Sequence, residues 1–409
     1  MQRMRPVVAR QAAWMSAAAL LGALAGGSAF AAGPSYHLVA QIALPASSAH
    51  GDVVAYDPAT NMVYASNPAG GVAIIDAATN KLVTIVPLKG HINGVDFNSQ
   101  YVFVADQNDN TFDVIQKGTW KVVASEATTS VDKTATTPDS VVYDPGHNQV
   151  FVSIDDNNTV QVYNASAPFS LKSVINLNNQ VPNSSIDNVG PDLASVAPSL
   201  NTFYESDGNW LLSYSTATLA STGKIDTGLT LKGPNGKLVT HAGLKGSAYL
   251  DGKVFVAGDG AQSPRIYVVN PNLTGSVSSI AVPSNPDALA PDPNNNIIYG
   301  FAGGLAGKGG FIMIDAKTQQ YVGDVVTGGG AHTGAVNPGN GDVYVLANGS
   351  QSDPHPALLV YAPGASVVPK ATSPVTGVPT WPIYAGGALL ALGGAAIWAN
   401  RRLTVSPRR

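Results

Sequence analysis

Apolar and polar positions alternate along this chain in short runs separated by turn residues. Residues 74–88 read IIDAATNKLVTIVPL, with a polar turn from Asp76 to Lys81 between two apolar runs. Short runs bounded by Asp, Asn, Gly and Pro predict β-strands joined by hairpins. The second half of this stretch returns near the N-terminus as HLVAQIAL (37–44), where His37 takes the place of Lys81 and no first half precedes it.

A four-strand unit recurs along the chain. Each unit opens with a strand that ends in Asp-Pro or a similar turn, as in VVAYDPATNMVYAS (53–66), and continues with a second hairpin, as in VAIIDAATNKLVTI (72–85). The opening strand recurs as INGVDFNSQYVFVA, SVVYDPGHNQVFVS, LASVAPSLNTFYES, GSAYLDGKVFVAG, ALAPDPNNNIIYGF and GAVNPGNGDVYVLA. Such a unit, repeated every 40 to 55 residues or so, is typical of propeller blades. A β-sandwich would not repeat it seven times.

The seventh unit lacks its fourth strand. It runs GAVNPGNGDVYVLA (334–347), then ALLVYAPG (357–364), and then enters a segment rich in Pro, Ser, Thr and Val. Segment 37–44 can supply the missing strand and cover an edge that would otherwise stay unpaired. The sequence therefore predicts an all-β fold, a seven-bladed β-propeller over 32–364 that is closed by an N-terminal strand.

The chain resembles the YVTN, or YncE-like, seven-bladed β-propeller family, which is bacterial and secreted or membrane-anchored. The likeness covers 36–364 and is carried by the motifs at 74–79, 102–105, 110–115, 158–162 and 285–292. It implies the fold rather than an activity, because this family and its relatives include binding proteins, lactone hydrolases and proteins of unknown role.

Both ends of the chain carry segments of a kind associated with membranes. Residues 1–31 combine a basic start, an apolar stretch and Ala29-Phe30-Ala31, which predicts a secretory signal peptide. After a linker at 365–380, residues 381–400 are apolar and are followed by the basic tail 401–409, which predicts a transmembrane anchor with a cytoplasmic end. The propeller would then face the periplasm, anchored to the inner membrane. The tail also resembles exosortase-type sorting signals, which leaves open whether it is cleaved.

Composition excludes several classes of function. The chain has 22 basic and 26 acidic residues, and seven of the basic ones are arginines within the first ten and last nine positions. The remaining 15 face all 26 acidic residues, a balance of −11, so nucleic acid is not an expected partner. With no cysteine, the chain has no disulfide, thiolate nucleophile or CxxCH haem site. The mature chain also shows no GxSxG, HExxH or phosphate-binding loop.

Candidate chemistry lies where the opening strand of each unit enters the central channel. Five residues before Asp57 stands Asp52, and the equivalent positions in the other units are Asn93, Asp139, Asp192, Lys245, Asp287 and His332. Two residues earlier the register gives His50, His91, Thr137, Gly190, Gly243, Asn285 and Gly330, with His241 just outside it. The candidate ligand-binding set is His50, Asp52, His91, Asn93, Asp139, Asp192, Asp287 and His332.

Several interpretations of this rim stay open. A ring of oxygen ligands suits Ca²⁺, and a His and Asp mixture suits a transition metal or general acid–base catalysis. Any bound metal would be coordinated by residues from the set Asp52, Asp139, Asp192, Asp287 and His332. Aspartate before a strand is also an ordinary turn residue, so a solvated channel lining is the alternative.

We predict a monomeric, non-enzymatic platform with no resident cofactor, which binds a protein or small molecule. A lactonase-like hydrolase with a metal or His/Asp centre is the second hypothesis.

Overall fold

Twenty-eight strands make up seven antiparallel sheets in the computed structural model, which describes residues 34–128, 136–178, 180, 191–239, 242–260 and 262–364. The chain begins with β1 (Tyr36–Ala43) and then forms blade 1 from β2 (Val54–Asp57), β3 (Met62–Ser66), β4 (Val72–Asp76) and β5 (Lys81–Val86). Blade 2 contains β6 (Ile92–Phe97), β7 (Tyr101–Asp106), β8 (Thr111–Gln116) and β9 (Lys121–Ala127). Blade 3 contains β10 (Pro138–Asp144), β11 (Gln149–Ile154), β12 (Thr159–Asn164) and β13 (Leu171–Asn176).

The second half of the ring repeats this plan. Blade 4 contains β14 (Ser195–Ala197), β15 (Thr202–Asp207), β16 (Trp210–Ser215) and β17 (Ser221–Asp226). Blade 5 contains β18 (Gly243–Leu250), β19 (Lys253–Asp259), β20 (Arg265–Val269) and β21 (Ser278–Ala281), and blade 6 contains β22 (Ala288–Asp292), β23 (Ile297–Ala302), β24 (Gly310–Asp315) and β25 (Gln320–Val326). Blade 7 adds β26 (Gly334–Val336), β27 (Val343–Ala347) and β28 (Ala357–Pro363). Short 3-10 helices occur at Asp155–Asn157, Pro198–Leu200 and Leu305–Gly307.

The ring is closed by the two ends of the described chain. In blade 7 the strand order is β1-β28-β27-β26, so β1 is the outer strand. It pairs antiparallel with β28, from Tyr36 opposite Pro363 to Ala43 opposite Ala357. The predicted seven-bladed propeller and its closure by the N-terminal strand are therefore confirmed.

Turn chemistry explains why the repeat folds where it does. The Asp57 carboxylate accepts hydrogen bonds from the Ala59 amide at 3.0 Å and the Thr60 hydroxyl at 2.5 Å, and it caps the turn after β2. A residue in the left-handed region ends most such turns, a conformation that asparagine tolerates well. The asparagines with positive φ are Asn61, Asn80, Asn110, Asn148, Asn158, Asn201 and Asn296.

The outer strands are bulged at one recurrent position. In six of the seven blades the outer strand carries one residue more than its partner at this point, and the extra residues are Val39, Val83, Val123, Lys172, Thr222 and Val322. A bulge twists an exposed edge and discourages further strands from adding to it. Since β1 carries the bulge too, it is equivalent to the fourth strand of the other blades.

The hydrophobic core lies between neighbouring blades. Blades 1 and 7 share a cluster that includes Ile42, Val63 and Leu358, each 6% exposed or less. Tyr56 and Tyr344 stack across the same boundary, with ring centroids 5.8 Å apart. Burying each large apolar side chain contributes about 1.5–3 kcal/mol, so the sheets are held together by face-to-face packing.

The predicted fold class is wrong in its C-terminal transmembrane helix. Within the residues that the structure describes, no helix is long and apolar enough to cross a membrane. The prediction rested on the hydropathy of seventeen uncharged residues, 383–399, and a spanning helix needs about 20. The predicted anchor, linker, basic tail and signal peptide all lie outside the described residues.

Candidate functional site at the channel mouth

Irregular pairing at the start of the innermost strands aims side chains at the channel. Asn93 and Asp139 are each the extra residue of a β-bulge, where β6 and β10 begin. Lys245 lies in a similar irregularity of β18, between Leu244 and Ser247. A bulge takes a residue out of the regular alternation and re-aims its side chain, a device common beside binding sites.

All seven positions of the predicted register line one cavity of about 610 Å³. We call it the mouth cavity, and each blade contributes one residue of this register to it: Asp52, Asn93, Asp139, Asp192, Lys245, Asp287 and His332. The structure thus brings together residues that lie up to 280 positions apart in the sequence.

On one side of the mouth cavity, Asp52 lies between two imidazoles. His332 Nε2 is 2.8 Å from Asp52 Oδ1, and His91 Nε2 is 2.5 Å from Asp52 Oδ2. Burial opposes ionisation of Asp52, but the hydrogen bond with His332 and the close contact with His91 outweigh it and lower the pKa of the carboxyl. The partnership with Asp52 likewise raises the pKa of His91.

His332 is held as a cation. Burial favours its neutral form, but the hydrogen bond to Asp52 and the charge of Asp287 outweigh it and raise the pKa of His332 to about 9. Its second ring nitrogen, Nδ1, is 3.0 Å from the Gly330 carbonyl oxygen. Since both ring nitrogens face acceptors, each carries a proton near neutral pH, and His332 is not free to act as a base.

Lys245 bridges two carboxylates on the other side. Its Nζ is 2.6 Å from Asp192 Oδ2 and 4.0 Å from Asp287 Oδ1. Burial favours the neutral amine, but the charges of Asp192 and Asp287 outweigh it and raise the pKa of Lys245. Desolvation raises the pKa of Asp287, and Lys245 only partly offsets this. Lys245 belonged to the predicted register but not to the candidate ligand-binding set.

Asp139 lies between these two groups, and its ionised form is poorly stabilised by its neighbours. Asn93 Nδ2 donates a hydrogen bond to Asp139 Oδ1 at 2.7 Å. Burial and the nearby charge of Asp192 raise the pKa of Asp139 well above its ordinary value, and the Asn93 hydrogen bond does not compensate. The mouth cavity therefore holds an excess of carboxylates over the cations that could balance them.

The positions two residues before this register line the mouth cavity only in part. His50 and His91 line the mouth cavity, as does Asn285, and the rings of His50 and His332 lie 6.5 Å apart. Thr137 instead donates backbone and side-chain hydrogen bonds to Asp156, and so serves a loop. Gly190 and His241 lie outside the described residues.

The sequence analysis missed residues at the ends of the second strands. Gln107 follows β7 and Asp259 ends β19, and both line the mouth cavity. Asn285 Nδ2 donates to Asp259 Oδ1 at 2.6 Å. An antiparallel second strand returns to the side where the first strand began, so the register could have been extended to these positions.

A second cavity of about 440 Å³ lies along the innermost strands. Asp52, Asn93 and Leu193 line both cavities, so the two adjoin. Below the mouth the lining is mostly small and apolar, and includes Val53, Val95, Val141, Ala194, Ala248 and Ala335.

The five candidate metal ligands all line the mouth cavity, but four of them are engaged in the ion pairs just described and Asp139 is bound by Asn93. The part of the chain that the structure describes contains no group of three or more His, Asp or Glu side chains placed to hold a metal ion. The predicted site residues do meet: five of them form ion pairs, and Asn93 and Asp139 share a hydrogen bond.

Comparisons with known proteins identify the fold. No protein-family profile and no curated protein sequence matches this chain. Among solved structures, hydrazine synthase of Kuenenia stuttgartiensis is similar, with a TM-score of 0.58 and 12% sequence identity over 75% of this chain and 94% of that chain. At this identity the similarity shows a shared β-propeller architecture alone.

Proposed function

We propose that this protein is a ligand-binding β-propeller that holds a small polar molecule in the mouth cavity and performs no catalysis. The observation that carries this proposal is the convergence of one polar or charged side chain from each of the seven blades on a single cavity. Concave sites with a few convergent polar groups are where small molecules bind. The sequence motifs further suggest kinship with YVTN/YncE-like propellers, and segment 1–31 suggests export to the periplasm.

The test is a ligand screen on the purified full-length protein. Succinate, glucose, glycine betaine and n-butylamine would be compared for their effect on the melting temperature. The double variant Lys245→Met/Asp192→Asn removes the 2.6 Å ion pair without changing net charge. Asp324→Asn, on the exposed outer strand β25, is the matched control.

We expect at least one compound to raise the melting temperature of the wild type and of Asp324→Asn by about 2 °C or more, because binding to the folded state stabilises it. The double variant should not respond. A screen in which no compound acts, or in which the double variant responds like the wild type, would contradict the proposal.

A lactonase-like hydrolase is the second candidate, and the Asp52–His91 contact favours it. A carboxylate that holds one ring nitrogen of a histidine orients the other nitrogen to take a proton from water. Lactone hydrolysis by the wild type that is lost in His91→Asn and kept in Asp324→Asn would replace the binding proposal with this one.

A further inference from the structure

One acceptor in the mouth cavity is buried and has no partner among the residues that the structure describes. Asn93 is 8% exposed, and its Oδ1 atom makes no hydrogen bond within the described residues, while its Nδ2 atom is committed to Asp139. Leaving a buried acceptor unpaired is unfavourable, and a ligand that donates a hydrogen bond to it would recover that cost. A ligand that binds beside Asn93 should therefore carry an N–H or O–H group that donates to this unpaired oxygen.

The charge around Asn93 favours a cation as that donor. Asn93, Asp139 and Asp192 come from consecutive blades and form what we call the acidic side of the mouth cavity. Lys245 reaches Asp192 at 2.6 Å, but no ion pair of the described residues includes Asp139. A positive ligand would be attracted to both carboxylates and would strengthen its hydrogen bonds to them.

An ammonium group fits better than a metal ion. The described residues offer no group of three or more His, Asp or Glu placed for metal coordination, and Asp192 is already held by Lys245. An ammonium needs fewer, more widely spaced acceptors, because its N–H groups point in separate directions.

The second cavity, which adjoins the mouth cavity and forms the apolar channel beneath it, indicates what the rest of the ligand is like. Asn93 lines both the mouth cavity and the apolar channel of about 440 Å³ beneath it. A ligand whose cation lies beside Asn93 can place an apolar body against Val95 and Val141 of the channel wall. Burying that body would be favourable in proportion to its apolar area.

We propose that the mouth cavity binds a small primary amine, with the ammonium group on the acidic side and an alkyl or aryl body in the channel. This inference rests on the proposed function and names its ligand class. Burial and the charge of Asp192 raise the pKa of Asp139, and an ammonium charge beside it favours its ionised form, so amine binding releases protons from that carboxyl.

Titration calorimetry on the full-length protein tests the proposal, with n-butylamine hydrochloride as the probe. n-Butanol lacks the charge, tetramethylammonium lacks the N–H donors, and CaCl₂ tests a metal in their place. Asp139→Asn removes the charge with no change in size, and Asn93→Ala removes the orphaned oxygen. Asp324→Asn, on the outer strand, is the matched control.

We expect n-butylamine to bind about tenfold or more tightly than n-butanol and tetramethylammonium. Its affinity should fall about tenfold in Asp139→Asn and in Asn93→Ala and should stay within about twofold in Asp324→Asn. Titration in two buffers of different ionisation enthalpy should show proton release for the wild type and not for Asp139→Asn. Melting curves establish whether each variant is folded. If only one of Asp139→Asn and Asn93→Ala folds, the affinity of that variant alone tests the inference.

The outcomes separate the two proposals. If n-butylamine does not bind while another compound binds in a way that requires Lys245 and Asp192, the amine inference is overturned and the proposed function stands. Equal affinity in the wild type and in the mouth variants, or binding of calcium in its place, also overturns the inference. If no probe binds, both fall.

Discussion

His332 and Asp52 are 280 positions apart in the sequence, and their Nε2 and Oδ1 atoms are 2.8 Å apart in the structure. His332 lies just before β26, the innermost strand of blade 7, and Asp52 lies just before β2, the innermost strand of blade 1. β1, which continues along the chain into blade 1, pairs with β28 in blade 7, and this pairing brings the two blades together when the ring closes. The candidate site is therefore complete only when the propeller is closed.

Closure predicts unequal roles for two apolar residues of β1. Ile42 is 6% exposed in the cluster between blades 7 and 1, while Leu38 is 48% exposed on the same strand. Ile42→Ala should lower the free energy of unfolding by about 2–4 kcal/mol, because it leaves a cavity in the core. Leu38→Ala should change it by less than about 0.5 kcal/mol. Urea denaturation measures both, and equal effects would contradict the role assigned to β1.

The Asp52–His332 pair predicts a stability that depends on pH. The pKa of His332 is raised from 6.5 to about 9, so its contribution is full below pH 6.5 and is lost as the pH rises through 9. His332→Gln should lower the free energy of unfolding by about 1–3 kcal/mol at pH 6 and by much less at pH 10.

The exposed pair of His355 and Asp353 is the control for that measurement. Its atoms are 2.7 Å apart, but the two side chains are 78% and 77% exposed. Pairs in water contribute little, so His355→Gln should change stability by less than about 0.5 kcal/mol at either pH. A loss in His332→Gln that does not vary with pH would show that the imidazolium charge is not what stabilises the site.

Asp207 predicts the opposite dependence on pH. Its side chain is fully buried, neither carboxylate oxygen has a hydrogen-bond partner within the described residues, and burial raises its pKa to about 7. The unfolded chain loses this proton near pH 3.8 and the folded chain near 7, so wild-type stability falls as the pH rises between those values. Asp207→Asn abolishes that fall.

The gain of Asp207→Asn over the wild type should therefore be about 4 kcal/mol larger at pH 8 than at pH 4. Comparing the two pH values cancels the cost of burying the amide, which is the same at both. Urea denaturation provides the measurement, with Asp353→Asn as an exposed control. A gain that is the same at both pH values would mean that Asp207 is ionised in the folded protein.

The surroundings of Gly246 indicate that the innermost strands of blades 5 and 6 lie very close together. A Cβ atom there would lie 2.9 Å from the Asp287 carbonyl oxygen and 3.0 Å from the Leu289 amide nitrogen. The Gly246 amide also donates to the Asp287 carbonyl at 2.8 Å. Gly246→Ala should cost about 1–3 kcal/mol, because the backbone of blade 6 must move. Gly233→Ala, whose Cβ would make only ordinary contacts, is the control in thermal melts, and an equal cost would contradict the close approach.

The repeat was readable because each blade uses the same local chemistry. Asp57 and Asn61 make a turn that depends only on neighbouring residues, so the strand pattern and the number of blades follow from the sequence. The orphan strand 37–44 was recognisable since it matches the second hairpin of blade 1. The transmembrane helix predicted for 381–400 rested on hydropathy alone, and no helix within the described residues has the length and apolarity that a membrane span needs.

The sequence by itself determined which residues stand at the mouth of the channel, since a fixed register in a repeated unit places equivalent residues at equivalent points. It could not determine how they pair. Tertiary structure decided that Asp52 lies between His91 and His332 and that Lys245 joins Asp192 to Asp287. It also decided that Asn93 Oδ1 has no partner within the described residues. Ion pairing and burial depend on distances between blades, and these exist only after the ring has closed.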